Sequence, residues 1–262
     1  MIISIVNHKG GTGKTTTAIN LGSALALEGF RVLLVDFDAQ GSLSYSLGID
    51  ENQPSISDAL IGETAISDAI QTRESMDILP AFSSLADVEL AIAKADEQYL
   101  HLKNALTSLT GYDFILIDCS PSLSLLTLNA LSASDSVIIP MQMDVLALRG
   151  LDAMLETIKS VNHINSRLYV MGILRVMADA RRNMYQEIVS HIQSNYKVRL
   201  FNQSIRTNVK AAEAPSYGKS VLSYAPKCTT AIDYRSFSNE LIKLSKQKQK
   251  HLIEAEKQEM SY

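Results

Sequence analysis

The stretch His8-Lys9-Gly10-Gly11-Thr12-Gly13-Lys14-Thr15-Thr16 lies between an apolar run at residues 2–7 and a segment of helical period that begins at Lys14. Its three glycines let the backbone curl, so that successive N–H groups point inward and form a concave anion site. The helix that follows adds the positive end of its dipole. In such a loop, Lys14 is expected to contact the β- and γ-phosphates of a nucleotide, and the Thr15 hydroxyl to bind Mg²⁺.

The loop departs from two common glycine-rich patterns. The usual phosphate-loop spacing, G-x-x-x-x-G-K-[ST], fails because His8 occupies the position of the first glycine. The dinucleotide pattern G-x-G-x-x-G fails because Gly11-Thr12-Gly13 leads to Thr16. The sequence therefore disfavours a nicotinamide-dependent enzyme, and it places an additional lysine, Lys9, directly before a Gly-Gly pair.

Outward from this loop, short apolar runs alternate with longer segments of helical period. The predicted strands are residues 2–7, 31–37, 76–80, 114–118, 136–140, 168–176 and 198–204. The predicted helices are residues 14–28, 55–61, 85–107, 123–132, 146–161, 182–194 and 229–248. Most strand runs are nearly continuous in Ile, Val and Leu, which is typical of strands buried on both faces. The pattern predicts a single-domain α/β P-loop fold with a mostly parallel, twisted sheet and helices on both faces. We expect this domain to span residues 1–250, followed by a polar C-terminal tail at residues 251–262 that frays from about residue 246.

Bulk composition excludes several classes. The 262 residues are 46% hydrophobic and 20% charged, as in ordinary globular proteins. No apolar run reaches the roughly 18–20 residues of a membrane span, and the N-terminus lacks the features of a signal peptide. The two isolated cysteines, Cys119 and Cys228, indicate a reducing compartment without a disulfide framework. A cytoplasmic protein is expected.

Charge is distributed unevenly along the chain. Residues 197–250 hold eleven Lys or Arg and three Asp or Glu, whereas residues 1–196 hold twelve and twenty-two. A basic segment on an acidic body can face nucleic acid or an anionic membrane. It can equally consist of solvated helix faces, and charge alone leaves both interpretations open.

Four motifs in order along the chain resemble those of the ParA/MinD superfamily. Residues 9–16 resemble its deviant Walker A box, residues 35–42 (Val-Asp-Phe-Asp-Ala-Gln-Gly-Ser) its Walker A′ segment, and residues 114–122 (Phe-Ile-Leu-Ile-Asp-Cys-Ser-Pro-Ser) its Walker B segment. Residues 208–219 (Asn-Val-Lys-Ala-Ala-Glu-Ala-Pro-Ser-Tyr-Gly-Lys) resemble a stretch typical of the ParA/Soj branch. The resemblance implies ATP as the nucleotide and Mg²⁺ as the metal.

The resemblance also implies roles for individual residues. The catalytic residues would be Lys9, Lys14 and Asp38, with Asp38 positioning the attacking water and Lys9 reaching the nucleotide of a partner subunit. The metal residues would be Thr15, Asp36 and Asp118; the residues alone would also allow Asp118 to be a helix N-cap. The nucleotide-binding residues would be Lys9, Gly10, Gly11, Thr12, Gly13, Lys14, Thr15, Thr16, Met177, Asp179 and Pro215.

The basic segment resembles the surface with which ParA dimers bind DNA without regard to sequence. The candidate DNA-binding residues are Arg206, Lys210, Lys219, Lys227, Arg235, Lys243, Lys246 and Lys248. Contacts of this kind would be directed at phosphates and would be sensitive to salt. The chain departs from the family here, because Ile205-Arg206-Thr207-Asn208 replaces an Ile-Pro-Arg-Asn run.

Three functions are compatible with these motifs. The first is a partition ATPase whose ATP-bound homodimer binds nucleoid DNA, with hydrolysis, slow by itself, stimulated by a cargo-bound adaptor of ParB type. It would be cytoplasmic and nucleoid-associated, with no membrane partner. Because the chain begins at the phosphate-loop strand, operator-specific repression is not expected.

The second possible function is that of a MinD-like ATPase that cycles on membranes, although residues 243–256 offer only a thin apolar face. The third is a metal-cluster relative such as nitrogenase iron protein, for which Cys119 would be the bridging ligand. The cargo and the adaptor are not identifiable from the sequence.

Overall fold

A computed structural model describes residues 1–259, with side chains described through residue 250. In this part of the chain, eight strands form one sheet in the order β3-β4-β2-β5-β1-β6-β7-β8. Their bounds are β1 (Ile2–Ile5), β2 (Val32–Phe37), β3 (Gln71–Arg73), β4 (Met76–Leu79), β5 (Phe114–Cys119), β6 (Ser136–Met141), β7 (Tyr169–Ala178) and β8 (Leu200–Arg206). Neighbouring strands are parallel except for β3 with β4.

Helices connect the strands. They are α1 (Lys14–Leu27), α2 (Ser42–Ser46), α3 (Ile56–Leu60), α4 (Leu85–Ile92), α5 (His101–Leu106), α6 (Leu125–Ala133), α7 (Val145–Val161), α8 (Asn183–Asn195), α9 (Val209–Glu213), α10 (Val221–Tyr224) and α11 (Thr229–Glu259). Two 3₁₀ helices span Ile66–Ala69 and Ala214–Tyr217. None of these helices combines the length and the apolar character needed to cross a membrane.

The core has two halves, one on each face of the sheet. Successive residues of β2 alternate between them: Leu33 and Val35 belong to one apolar cluster, and Val32 and Leu34 to the other. Because side chains alternate across a strand, the two clusters lie on opposite faces. The predicted single α/β domain with a mostly parallel sheet and helices on both faces is confirmed.

Two local predictions were wrong. The predicted helix at residues 85–107 is two helices, α4 and α5, separated by a turn in which Glu97 has φ +56°. Residues 93–97 are all exposed, so they have no apolar face to hold a helix against the core. Strand β3 was missed: it pairs with β4 through a tight turn at Glu74 and Ser75, both with positive φ and neither the glycine or asparagine that usually marks such a turn.

The C-terminal helix is longer than the sequence predicted. Helix α11 continues through Glu259, beyond the expected end at residue 248 and beyond the expected onset of fraying. Residues 260–262 of the predicted tail lie outside the described residues, and the boundary at residue 250 stays a prediction. The short helices α2, α9 and α10 were also missed, because four or five residues are too few to show a helical period.

Candidate nucleotide and metal site

The sheet brings the phosphate loop and the acidic residues to one edge. Strand β1 pairs with β5 so that Ile5 lies beside Asp118, and β5 pairs with β2 so that Asp118 lies beside Asp36. These are the carboxyl ends of three parallel strands, where α/β sheets bind ligands. The loop that begins after β1 therefore faces the carboxylates that end β2 and β5.

The phosphate loop has the backbone that an anion site requires. Gly11 and Gly13 have φ of +71° and +73°, in the left-handed region that glycine adopts without strain. Gly13 is also the N-cap of α1 and provides no side-chain hydrogen bond to the first turn of that helix. A Cβ atom added at Gly10, Gly11 or Gly13 would meet no other atom within 4 Å, so the space that these residues face is open. Free N–H groups, a helix N-terminus and open space together fit a bound phosphate.

Lys14 contributes a buried cation to this loop. The residue is 7% exposed, and among the described residues its Nζ atom donates a single long hydrogen bond, 3.4 Å, to the Lys9 carbonyl oxygen. Burial lowers the pKa of Lys14, and the neighbouring Asp118 partly opposes that shift. A buried ammonium group with so little compensation would be stabilised by an anionic ligand.

Asp118 contributes a buried carboxylate. The residue is 1% exposed, and neither carboxylate oxygen has a hydrogen-bond partner among the residues described. Burial and then the nearby Asp36 raise the pKa of Asp118 well above its usual range, against the influence of the Thr15 hydroxyl and the Lys14 ammonium. Buried polar groups are nearly always satisfied, so a buried carboxylate without a hydrogen bond among the described residues fits a site that holds a cation. The helix-cap alternative is wrong, because the N-cap of α6 is Ser124.

Asp36 is held more firmly than Asp118. Its Oδ2 atom accepts hydrogen bonds from the Ser44 backbone N–H at 2.9 Å and from the Ser44 hydroxyl at 2.7 Å. Burial nevertheless raises the pKa of Asp36 to about 7. These bonds connect the end of β2 to α2. Asp38, two residues further on, is half-buried and accepts a hydrogen bond from the Gln40 N–H at 3.0 Å.

The carboxylates of Asp36 and Asp118 fit a magnesium site better than they fit a metal site formed by protein ligands alone. Within the described residues, no group of three or more His, Cys, Asp or Glu is arranged to hold a metal ion. Mg²⁺ commonly uses one or two carboxylates and completes its shell with water and substrate phosphates. Asp118, with Thr15 beside it and Asp36 behind it, fits that pattern. Cys119 lies buried, with its thiol directed at the Ile117 carbonyl oxygen 3.7 Å away, and so does not reach the surface as a bridging ligand would.

Lys9 has a partner that the sequence did not reveal. Its Nζ atom lies 2.8 Å from Oδ2 of Asp144, the N-cap of α7, which also accepts the Ala147 N–H at 2.8 Å. Burial would raise the pKa of Asp144, but the hydrogen bonds from Lys9 and Ala147 outweigh it and lower that pKa. An aspartate between an apolar strand and a helix was visible as an N-cap signal, but its pairing with Lys9, 135 positions away, was not.

A cavity of about 790 Å³ lies at the carboxyl ends of β6, β7 and β8. Met177 and Asp179 line it, as does Asp144. Met177 has φ +49°, unusual for a non-glycine residue, and its sulfur contacts the Gln142 side-chain amide. Asp179 is paired with Arg181 at 2.8 Å. Pro215, the third nucleotide-binding residue predicted outside the phosphate loop, does not line this cavity and lies in the 3₁₀ helix Ala214–Tyr217.

The candidate DNA-binding residues differ in their surroundings. Arg206 lines the cavity and binds Asp233, with Nη2 at 2.6 Å from Oδ1. Lys210 pairs with Glu213 at 2.8 Å, Arg235 donates to the Pro226 carbonyl at 3.1 Å, and Lys248 lies over the Tyr169 ring. The remaining candidates are exposed and have no ion-pair partner among the described residues; these are Lys219, Lys227, Lys243 and Lys246.

Comparisons with a family model, with curated relatives and with solved structures agree on the kind of protein that this chain resembles. A family model described as an AAA domain matches residues 1–170. The sporulation initiation inhibitor protein Soj of Bacillus subtilis is 41% identical over 246 residues, 92% of this chain and 97% of Soj. The chromosome partitioning protein ParA of Caulobacter vibrioides is 38% identical over 256 residues, 95% of this chain and 96% of ParA. Among solved structures, cobyrinic acid a,c-diamide synthase of Mycobacterium smegmatis, with a bound ATP analogue and magnesium, superimposes with a TM-score of 0.83 at 35% identity, covering 94% of this chain and 95% of that one.

Proposed function

The chain belongs to the ParA/MinD family of P-loop ATPases, and on that premise we propose that it is a partition ATPase of the ParA/Soj type. It binds ATP with Mg²⁺, forms a homodimer with ATP and binds DNA without regard to sequence. It partitions or positions a DNA or protein cargo in the cytoplasm, in association with the nucleoid. An adaptor of ParB type on the cargo stimulates an otherwise slow hydrolysis of ATP to ADP and phosphate, which releases the dimer.

The observation that supports this proposal most is the presence, at the phosphate loop and the end of β5, of two buried charges with few hydrogen bonds. Lys14 is a buried ammonium with one long hydrogen bond, and Asp118 is a buried carboxylate with none among the described residues. The phosphates of a nucleoside triphosphate would pair with the Lys14 ammonium, and a magnesium ion would pair with the Asp118 carboxylate. Thr15 would share the metal with Asp118, and Asp36 would support that shell. Mg²⁺ supplies Lewis-acid stabilisation of charge on phosphoryl oxygens.

Asp38 is the residue that we expect to orient the attacking water. It follows β2 by one residue and is half-buried, close enough to Lys14 and Asp118 to influence the pKa of each. A carboxylate at that place can accept a hydrogen bond from water and hold it for attack. Phosphoryl transfer needs mainly positioning and electrostatic stabilisation, and these are what a fixed carboxylate and a buried lysine provide.

Lys9 is the residue that we expect to connect ATP with dimerisation. In the single chain its ammonium is neutralised by Asp144, yet both side chains are more than one third exposed. An ion pair in that setting contributes about 0–1 kcal/mol to stability, so the folded chain loses little stability when the pair opens. In an ATP-bound dimer, the partner's phosphates offer Lys9 a more highly charged counter-ion than one carboxylate. A cation from across the interface would then stabilise charge that develops during transfer, as an arginine finger does.

The test is dimerisation and DNA binding of Lys9→Ala. With ATP and Mg²⁺, light scattering should show a dimer for the parent and a monomer for the variant. Mobility shifts with duplex DNA at two salt concentrations should show weaker binding, because a dimer presents two basic segments at once, and a shallower salt dependence. Lys103→Ala, a lysine on α5 away from the phosphate loop, is the matched control and should behave like the parent.

Two results would contradict the proposal. If Lys9→Ala dimerises and binds DNA like the parent, the residue has no role across the interface. If the parent with ATP co-sediments with anionic liposomes and not with DNA, the chain works as a membrane-cycling ATPase instead. Cargo and adaptor would be identified separately, by asking which proteins encoded beside it stimulate hydrolysis.

A further inference from the structure

A pair of stacked tyrosines, one exposed and one half-buried, lies in the basic segment and takes no part in the function proposed above. Tyr217 ends the 3₁₀ helix Ala214–Tyr217, and Tyr224 ends α10. Their rings are stacked, with centroids 4.8 Å apart and planes inclined by 22°. Tyr217 is 62% exposed although one face of its ring packs on Tyr224. The opposite face is therefore available to a third flat ring.

The stack is held in place by polar contacts. Oε2 of Glu213 accepts hydrogen bonds from the Tyr224 hydroxyl at 2.9 Å and from Nζ of Lys210 at 2.8 Å. The Lys210 ammonium also lies 5.7 Å from the centroid of the Tyr224 ring, within the range of a cation–π interaction. One carboxylate thus fixes both a lysine and the inner ring. A ligand that stacks on Tyr217 would find the platform already ordered, which favours binding.

The backbone beneath Tyr217 is equally constrained. Gly218 has φ +64°, and a Cβ atom added there would lie 3.6 Å from the backbone nitrogen of Gly48. The turn after Tyr217 therefore packs closely against the loop that follows α2. This packing, together with the positive φ of Gly218, constrains the backbone from which the Tyr217 side chain projects.

The segment that carries the stack, residues 209–228, holds three lysines and one glutamate. One further carboxylate, that of Glu74, accepts a hydrogen bond from the Ser220 N–H at 3.2 Å. Glu213 is already neutralised by Lys210. Lys219 follows Tyr217 by two residues and Lys227 follows Tyr224 by three, and neither has a partner in the part of the chain that the structure describes. Aromatic rings interleaved with lysines are the pattern of surfaces that bind single-stranded nucleic acid, where bases stack and lysines follow the phosphates.

We propose that the Tyr217–Tyr224 stack binds unpaired nucleobases, so that this surface holds single-stranded nucleic acid as well as duplex DNA. The bases of a duplex are already stacked on each other and present their edges and phosphates, whereas an unpaired base presents a free face to Tyr217. The lysines would contact the phosphates of both ligands, whereas the Tyr217 ring would stack only on the bases of the single strand. This inference rests on the nucleic-acid binding proposed above and adds a second class of ligand to it.

The test compares three labelled probes by fluorescence anisotropy, with ATP and Mg²⁺ present. They are an oligothymidylate of about 20 nucleotides, long enough for one to several stacking sites, an abasic deoxyribose-phosphate strand of the same length, and a duplex of the same length. The parent should bind the oligothymidylate more tightly than the abasic strand. Tyr217→Ala should weaken oligothymidylate binding about 5- to 150-fold and change duplex and abasic binding little.

Two further variants control for structure. Tyr217→Phe keeps the ring and should retain binding to the single strand. Leu90→Ala removes another large exposed side chain, 66% exposed on α4, and should have no effect. ATP affinity, measured by titration, should be the same in all of these variants.

Each remaining outcome overturns the inference in a distinguishable way. If the parent binds no nucleic acid with ATP, the proposed DNA binding fails and this inference fails with it. If the parent binds duplex DNA but Tyr217→Ala leaves oligothymidylate binding unchanged, only the inference fails. Loss of ATP affinity in Tyr217→Ala would assign the stack to the nucleotide site.

Discussion

Replacing Asp118 by asparagine is expected to make the ligand-free protein more stable and to remove its stabilisation by ATP and Mg²⁺. The carboxylate is buried and has no hydrogen bond among the described residues. Burial and the neighbouring Asp36 raise its pKa well above the usual range, even though the Thr15 hydroxyl and the Lys14 ammonium act in the opposite direction. The surroundings therefore disfavour the charged form, and a neutral amide of the same shape avoids that penalty.

The size of the effect follows from burial. A buried polar group without a partner costs about 1–3 kcal/mol, and a charged one costs more. The amide keeps two unsatisfied polar atoms and forgoes the attraction to Lys14, so the expected net gain is about 1–3 kcal/mol. In a domain of this size, each kcal/mol changes the melting temperature by roughly 2–4 °C. Asp118→Asn should therefore melt about 2–12 °C higher than the parent without ligand.

The pH dependence of stability gives an independent check on the sign of this difference between Asp118→Asn and the parent. A carboxyl whose folded pKa is raised binds a proton more readily in the folded state than in the unfolded state. The penalty for charging Asp118 is therefore present at neutral pH and disappears as the pH falls below the unfolded value of about 4. The advantage of Asp118→Asn should be largest near pH 7.5 and should shrink as the pH is lowered through the acidic range.

The assay is thermal unfolding followed by circular dichroism, first with a chelator and then with ATP and Mg²⁺. Ligand should raise the melting temperature of the parent by mass action and leave Asp118→Asn almost unchanged. Asp96→Asn, an exposed aspartate in the turn between α4 and α5, is the control and should differ from the parent by less than about 0.5 kcal/mol. The reasoning is refuted if Asp118→Asn is no more stable than the parent without ligand, or if it keeps the full stabilisation by ATP and Mg²⁺.

Three other substitutions test the remaining parts of the site. Lys14→Ala should abolish tight ATP binding, because it removes the buried phosphate cation; an affinity near that of the parent in equilibrium titration would contradict this. Asp38→Ala should bind ATP but not hydrolyse it, leaving the dimer trapped, and turnover at the parental rate would remove Asp38 from the mechanism. Asp144→Ala should lose about 0.5–2 kcal/mol in urea unfolding through its lost N-cap, yet still dimerise with ATP because Lys9 remains. Failure of that variant to dimerise, while still folded, would show that Asp144 acts in the dimer and not only in the single chain.

Much of the fold and part of the site were predictable from local sequence. Seven short apolar runs, most of them nearly continuous in Ile, Val and Leu, identified seven of the eight described strands, because a strand buried on both faces is apolar at nearly every position. Strand β8 is an exception, since it contains Asn202, Gln203 and Ser204 and is only partly buried. The phosphate loop was predictable because its function depends on consecutive backbone groups, and Gly11 and Gly13 have the positive φ that such a loop needs. Asp36 and Asp118 could be placed at one edge because parallel strands end together. The family followed from the same motifs and is confirmed by the relatives.

Other features depended on which distant segments the fold brings together. The sequence indicated no partner for Lys9 within its own chain, whereas the sheet order places β6 beside β1 and so brings Asp144 within 2.8 Å of it. The helix predicted at residues 85–107 breaks because nothing packs on residues 93–97, and β3 exists because β4 offers it a hydrogen-bonding edge. Local sequence patterns indicate which residues are buried and whether the apolar positions recur with the period of a strand or of a helix. They do not report which side chain it meets there, because partners separated by many residues are chosen by the order of the strands and the packing of helices over them.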